Sequence, residues 1–191
     1  WDGAPAIFAG QDPRDGQFFV AKKGVFNKNP KIYKTADEVD ADTSGDLATK
    51  LKLALKHLPD LGITGVIQGD FLFSKSDLKS ETIDGEKVTT FHPNTIVYSV
   101  PTKSQMGKAI RSAKIGIVWH TVYSGTSFET MKASFGQKIS DKLKPSSKVW
   151  FVDPEFTDVS GKATFTDKEN KEVTKYISNA GKLFKKLDAK T

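Results

Sequence analysis

Residues 65–73 read GVIQGDFLF, a run rich in β-branched and aromatic side chains that predicts a buried strand. Residues 115–123, IGIVWHTVY, predict a second strand of the same kind. Shorter strands are expected near residues 4–10, 18–24 and 95–100. Hairpin patterns and short helical patterns alternate irregularly between these runs. The sequence therefore predicts an α+β fold with mostly antiparallel sheets and flanking helices, and not a regular βαβ array.

Helices are predicted where apolar residues recur at helical spacing. One runs from about residue 46 to 58, with Ser44 as its cap, and two others cover residues 104–113 and 128–143. The polar stretch at residues 27–44 is predicted to be a loop. Near the C-terminus, Thr166 and Glu169 have the spacing of a capping box. The helix that follows would place five apolar side chains on one face: Val173, Ile177, Ala180, Phe184 and Leu187.

The 191-residue chain is basic, with a net charge of +6. Almost all of its positive charges are lysines, because Arg14 and Arg111 are the only arginines. Lysine is a mobile point charge, so this composition suits contact with phosphate better than bidentate reading of bases. A lysine-rich surface that binds no polyanion remains an open alternative. Cysteine is absent, which excludes disulfide scaffolds and thiol nucleophiles. No apolar run reaches the length of a membrane span, so no membrane association is expected.

The histidines do not indicate a metal site, because His57, His92 and His120 lack the i,i+4 spacing of a zinc motif. The glycine patterns of P-loop, Rossmann and nucleophile-elbow proteins are also absent. Asp70 is the exception, since it interrupts a β-rich run. A carboxylate buried alone is costly, so Asp70 is expected to face a partner, a metal or a cleft; a solvent-facing position on a half-exposed strand is the alternative.

Both ends of the sequence suggest a piece of a longer protein, because the chain opens at Trp1 and stops inside an amphipathic pattern. We expect residues 1–165 to be a partial core and residues 166–191 to begin a C-terminal helical segment.

The opening Trp1-Asp2-Gly3 resembles the end of K-x-D-G, the nucleotidyl-acceptor motif of the covalent nucleotidyltransferases, which include ATP-dependent DNA ligases, RNA ligases and mRNA capping enzymes. The lysine would stand immediately before Trp1. Residues 18–24, FFVAKKG, resemble the next strand of those enzymes, and residues 65–71, GVIQGDF, resemble their D-G-E-[LF] strand. In that strand Gln68 replaces the usual Asp, and Asp70 replaces the usual Glu. Residues 95–99 resemble the strand whose aromatic side chain stacks on the purine.

Over essentially its whole length the chain also resembles a protein family of tailed bacteriophages. Members of that family read K-W-D-G-A-P-A near the front, followed by F-F-V-A-K-K-G-V-F-N-K-N-P and G-V-I-Q-G-D. This resemblance implies a location in the cytoplasm of a phage-infected bacterial host, or association with the virion.

The first resemblance implies a ligase-like adenylation domain, with antiparallel sheets around a nucleotide cleft. It also implies ATP and Mg²⁺ as cofactors, a lysine–AMP intermediate, and transfer of AMP to 5′-phosphate ends of RNA or DNA. Tyr98 would stack on adenine, Asp70 would take the ribose hydroxyl or a metal-bound water, and Lys22 or Lys23 would meet phosphate or ribose. The implied cofactor-binding residues are Asp2, Gly3, Lys22, Lys23, Asp70 and Tyr98.

Two departures from the nucleotidyltransferase pattern leave catalysis open. The E-G-x-V-x-K strand is matched only in outline by residues 115–120, where Ile115 and His120 replace Glu and Lys. A K-x-K strand is not evident. Either those motifs lie beyond Thr191 or catalysis has been lost. The alternative function is therefore a non-catalytic nucleic-acid-binding or virion-associated phage protein.

Overall fold

The computed structural model describes residues 1–155 and 165–185. The chain divides into two units, Trp1–Glu155 and Phe156–Thr191. Ten strands lie in the first unit: β1 (Ala6–Gln11), β2 (Phe18–Ala21), β3 (Ile32–Tyr33), β4 (Val66–Ser74), β5 (Lys79–Ile83), β6 (Glu86–Phe91), β7 (Tyr98–Pro101), β8 (Ile115–Ser124), β9 (Lys132–Phe135) and β10 (Val149–Val152). Four α-helices are described in all: α1 (Ala36–Asp42), α2 (Gly45–His57), α3 (Gln105–Ser112) and, in the second unit, α4 (Asp167–Phe184).

The strands form two sheets. The large sheet has the order β10-β8-β4-β1-β2-β3, and β9 pairs with β8 beside β10; the small sheet has the order β5-β6-β7. Each pair of neighbouring strands is antiparallel except β8 and β10, which are parallel. The fold is therefore mixed α+β with antiparallel sheets, as the alternating sequence pattern predicts.

Opposite faces of the large sheet carry different apolar clusters. On one face, Ile67 and Phe71 of β4 pack with Leu51 of α2 in the largest cluster. On the other face, Leu72 and Val118 pack with side chains of the small sheet and of α3, forming the second cluster. A third cluster, centred on Phe8 and Phe19, lies around β1 and β2. The second cluster joins the two sheets, because its members come from both.

The expected strands and three of the expected helices are confirmed. In particular, α2, α3 and α4 lie where their apolar spacing places them, and Thr166 and Glu169 form the predicted capping box. Leu187, the last residue of the predicted apolar face, lies outside the described residues.

Two predictions of local structure are wrong. The stretch predicted as a loop, residues 27–44, contains β3 and α1, and α1 begins at a Thr35–Glu38 capping box. The helix predicted over residues 128–143 is replaced by β9 and a 3₁₀ turn at Ser140–Lys142. Strand β10 pairs with the first half of β8, and Thr121–Ser124 in its second half pair with β9. This pairing overrides the helical preference of the residues that form β9.

None of the helices in residues 1–155 and 165–185 combines the length and the apolar character that a bilayer crossing needs.

Candidate functional site

The N-terminal segment lies directly against β4. The Ala4 amide donates to the Phe71 carbonyl at 3.0 Å, and the Phe71 amide donates to the Pro5 carbonyl at 2.9 Å. A Cβ atom at Gly3 would lie 2.6 Å from the same Phe71 carbonyl oxygen, so only glycine allows this approach. Asp2-Gly3 and Asp70-Phe71, which are 68 positions apart in sequence, are therefore brought to one place on the large sheet.

Tyr98 anchors the same segment. Its hydroxyl accepts from the Asp2 amide at 2.7 Å and lies 3.1 Å from the Asp2 carbonyl, to which it can donate. Its ring contacts Trp1 at a centroid distance of 4.9 Å and Phe91 at 5.3 Å. The Asp2 carboxylate accepts from the Asn94 side-chain amide at 2.6 Å. Both the hydroxyl and the ring of Tyr98 are thus engaged, so a nucleotide base could stack on this ring only if Trp1 moved aside.

Asp70 lies on the face of the large sheet that carries the second cluster. Its cross-strand partners are Ala6 on β1 and Val118 on β8. Directly paired residues of antiparallel strands share a face, and Val118 belongs to the second cluster, against which Tyr98 packs. Asp70 and Tyr98 therefore lie on the same side of the large sheet. The Asp70 side chain keeps 18% of its surface exposed, so it is accessible to a small ligand.

A bulge in β8 brings His120 next to Asp70. Gln68 pairs with Thr121 and Gly69 pairs with Trp119, which leaves His120 between them without a partner in the ladder. Such bulges turn a side chain away from its regular direction. The Nε2 atom of His120 lies 3.7 Å from an Asp70 carboxylate oxygen, and its Nδ1 atom lies 2.7 Å from the Thr121 hydroxyl. The result is a carboxylate–imidazole pair on a partly exposed sheet face.

One cavity borders His120 of this pair, and a second cavity borders the first. One of about 210 Å³ is lined by His120, and one of about 240 Å³ is lined by Trp1. They share three lining residues, Lys138, Asp153 and Glu155, so together they extend from the N-terminal segment to the imidazole. Asp153 is used structurally, because it accepts the amides of Ile139 and Ser140 at 2.9 and 3.1 Å. Lys138 is exposed and lines both cavities, and its amine lies 3.9 Å from the carboxylate of Glu155, which lines them too.

Lys22 and Lys23, which the sequence could not distinguish, have different surroundings in the structure. Lys22 donates to the Asp42 carboxylate at 2.9 Å, and this bond raises the pKa of Lys22. Asp42 closes α1 and also binds Tyr33, a member of the largest cluster, so Lys22 lies on the helix-covered side of the sheet, away from Asp70. Lys23 is exposed at the start of a 3₁₀ turn and forms no ion pair within the described parts of the chain.

Of the residues expected from the sequence, Asp2, Gly3 and Tyr98 are in mutual contact or adjacent, and Asp70 shares their face of the sheet. Lys22 is not brought to them. The sequence analysis gave His120 no role in a site and did not single out Lys138. The signal for His120 was present, since it stands where the lysine of E-G-x-V-x-K would stand, but the bulge that aims it at Asp70 cannot be read from residue spacing.

Comparison of the chain with curated proteins and with solved structures gives no match. A family model, by contrast, matches residues 1–190, which is nearly the whole chain. The chain therefore belongs to DUF6267, a family of unknown function.

Proposed function

We propose that this chain forms the nucleotide-binding core of an ATP-dependent nucleotidyltransferase resembling RNA or DNA ligases, acting in a phage-infected bacterial cell. In this proposal a lysine immediately before Trp1 in the parent protein accepts AMP. Its amine nitrogen bonds to the α-phosphorus of ATP and loses a proton, while the bond to the β-phosphate breaks and pyrophosphate leaves. A 5′-phosphate oxygen of RNA or DNA then bonds to the phosphorus of this AMP, while the bond between phosphorus and the lysine nitrogen breaks and the amine takes up a proton.

The observation that carries the proposal is the contact between the Trp1-Asp2-Gly3 segment and the Asp70-Phe71 part of β4. These two segments were selected for separate likenesses to nucleotidyltransferase motifs, and the backbone bonds of Ala4 and Pro5 with Phe71 join them. An amine attached just before Trp1 would lie at the rim of the cavity that Trp1 lines. A nucleotide in the adjoining cavities would meet Lys138 and His120.

The charged side chains suggest a division of roles. Lys138 would hold phosphate oxygens, and the imidazole of His120, which lies beside Asp70, would contact the same ligand. In this proposal Asp70 would accept from a ribose hydroxyl or from a metal-bound water. Lys23, which is exposed, suits contact with phosphate better than Lys22, whose amine is committed to Asp42.

The site suits Mg²⁺ only as an ion that the nucleotide phosphates help to hold. Within residues 1–155 and 165–185, no three His, Asp or Glu side chains are grouped so as to hold a metal ion. Mg²⁺ usually keeps several waters and takes one or two carboxylates together with substrate phosphates. Asp70 would be that carboxylate, and the ion would supply neutralisation of the triphosphate charge.

A labelling experiment tests the proposal. The parent protein, including the residue before Trp1, is incubated with α-labelled ATP and Mg²⁺ and then denatured. A covalent label is expected, and replacing the lysine before Trp1 should abolish it. Asp70→Ala should reduce labelling about 100-fold, the scale of a lost orienting partner. Asp60→Ala, at an exposed carboxylate away from β4, is the control and should label normally.

A second function is favoured by one observation. Ile115 and His120 stand where the nucleotidyltransferase pattern has a metal-binding Glu and a phosphate-binding Lys. A non-catalytic nucleic-acid-binding or virion-associated phage protein on the same scaffold would tolerate both replacements. If the parent protein takes no AMP label but binds oligonucleotides, the non-catalytic function is favoured and the nucleotidyltransferase proposal is wrong.

A further inference from the structure

A cavity of about 380 Å³ opens at the edge of the small sheet, away from the site described above. Two cations line it: Lys87 from β6 and Arg111 from the last turn of α3. Three hydroxyl groups line it as well, from Ser80, Thr82 and Thr102. Guanidinium, ammonium and hydroxyl groups are the donors that bind phosphate oxygens.

The cations of this cavity are uncommitted. Arg14, the other arginine of the chain, is held by the Asp12 carboxylate at 2.9 Å. Arg111 and Lys87 form no salt bridge with any residue in the described ranges, and both side chains are exposed. Their charges are therefore available to a ligand.

The charge around this cavity is unevenly distributed, because the β5–β6 hairpin on one side carries Glu81, Asp84 and Glu86, whereas the segment that follows is basic. Residues 87–128, which include most of β6 together with β7, α3 and β8, contain no Asp or Glu but contain five Lys or Arg residues. Among the residues that the structure describes, Glu81 on the outer strand β5 is the one carboxylate that lines the cavity. With the two cations Lys87 and Arg111 against the one carboxylate of Glu81, the lining carries a formal charge of +1, and a concave surface of net positive charge attracts anions.

We propose that this cavity binds phosphate groups of a nucleic-acid strand. In the described part of the chain, the lining offers donors for phosphate but no aromatic side chain on which a base could stack, which favours backbone phosphates over a free nucleotide. This proposal rests on the proposed function, and the cavity would be the surface that holds the nucleic-acid substrate. Its chemistry does not require AMP transfer.

Fluorescence anisotropy with labelled single-stranded DNA and RNA 20-mers tests the proposal. Arg111→Gln and Lys87→Gln should each weaken binding about 3- to 10-fold at low salt, and each should make the salt dependence shallower by roughly one counterion. Glu81→Gln should strengthen binding, because it removes the one negative charge of the lining. Lys56→Gln is the matched control, since Lys56 is an exposed cation of α2 without an ion pair in the described residues.

The outcomes are separable. Equal binding by Arg111→Gln, Lys87→Gln and Lys56→Gln would overturn the proposal. Binding of ATP or inorganic phosphate that depends on Arg111, without oligonucleotide binding, would also overturn it in favour of a small-anion site. Circular dichroism checks that each variant folds, and Arg111→Lys should recover part of the affinity. If the parent protein takes no AMP label but oligonucleotide binding still depends on Arg111, the proposed function fails and this inference stands.

Discussion

The two faces of β4 differ in what their side chains do. Ile67 and Phe71 are buried in the largest cluster, packed with residues of α2 and of β8. Gln68 and Asp70, on the opposite face, stay partly exposed; Gln68 accepts from the Tyr123 hydroxyl at 2.7 Å, and Asp70 lies beside His120. Because side chains alternate along a strand, β4 uses one face for the largest cluster and presents Gln68 and Asp70 on the other face, where Leu72 is also buried in the second cluster. Substitutions on the two faces should therefore affect different properties.

The largest expected effect is on the buried face. Phe71→Ala should lower the free energy of unfolding by about 4 kcal/mol, because it removes a fully buried aromatic ring and leaves a cavity. Asp70→Ala, one residue away on the other face, should cost less than about 1 kcal/mol. Urea denaturation measures both changes. Similar losses at the two positions would break the distinction between the faces.

Gly69 tests how closely β4 and β8 approach at the bulge. A Cβ atom there would lie 2.2 Å from the Val118 carbonyl oxygen and 2.7 Å from the Trp119 ring. Gly69→Ala should therefore cost about 2 kcal/mol through displacement of the backbone, and it should also move His120. Gly24→Ala is the control, since its Cβ would meet only ordinary contacts at 3.5 Å. Equal unfolding midpoints for the two variants would argue against the tight bulge.

Asp12 is a carboxylate with a structural role, and it can be compared with the partly exposed Asp70. Asp12 is buried and bound by Arg14 at 2.9 Å and Lys34 at 2.7 Å. The hydrogen bond from Arg14, followed by that from Lys34, holds the pKa of Asp12 well below its usual range. Asp12→Asn should cost about 2 kcal/mol at neutral pH, the scale of hydrogen bonds to a charged group.

The pH dependence follows from the same lowered pKa. The unfolded chain binds a proton at Asp12 near the ordinary pKa of about 4, whereas the folded chain resists it, so stability rises with pH in this range. The contribution is complete above about pH 5 and is lost as the pH falls toward the lowered pKa of the folded state. The Asp12→Asn variant should show a flatter loss of stability in acid. If the variant loses stability in acid as steeply as the unchanged protein, the ion pairs of Asp12 contribute nothing to the free energy of unfolding.

The smallest expected effect concerns the anchor of the N-terminal segment. Tyr98→Phe removes the hydroxyl that bonds the Asp2 backbone but keeps the ring between Trp1 and Phe91. It should cost about 1 kcal/mol. Hydrogen exchange should show faster opening of the Ala4 amide, with the amides of α2 unchanged. Uniformly faster exchange would mean that Tyr98 supports the whole fold and not this segment alone.

The sequence pattern predicts elements whose own residues determine them. Strand β4 follows from its β-rich composition, and α2 follows from the spacing of Leu51, Ala54 and Leu58. Helix α1 was missed although Thr35 and Glu38 have capping-box spacing, because only Val39 of that short helix is buried. Strand β9 was missed because its conformation comes from pairing with β8.

The candidate site was predictable only in part. Asp2, Gly3, Asp70 and Tyr98 were named from motif likeness, and they do share one side of the large sheet. The approach of His120 to Asp70 depends on a bulge, and the commitment of Lys22 to Asp42 depends on where α1 ends. Both are consequences of tertiary packing, which residue spacing does not encode.

Chemical-shift mapping of the 191-residue chain during titration with ATP and Mg²⁺ tests most directly whether the polar face of β4 is a nucleotide site. Backbone amide signals should move at Gly3, Asp70 and His120, and at Lys138 between the two cavities, while those of Leu51 and Ala54 in α2 stay fixed. Asp70→Ala should weaken the response, and no covalent AMP should form without the lysine. Shifts confined to other surfaces, or no saturable response at millimolar ATP, would contradict the account.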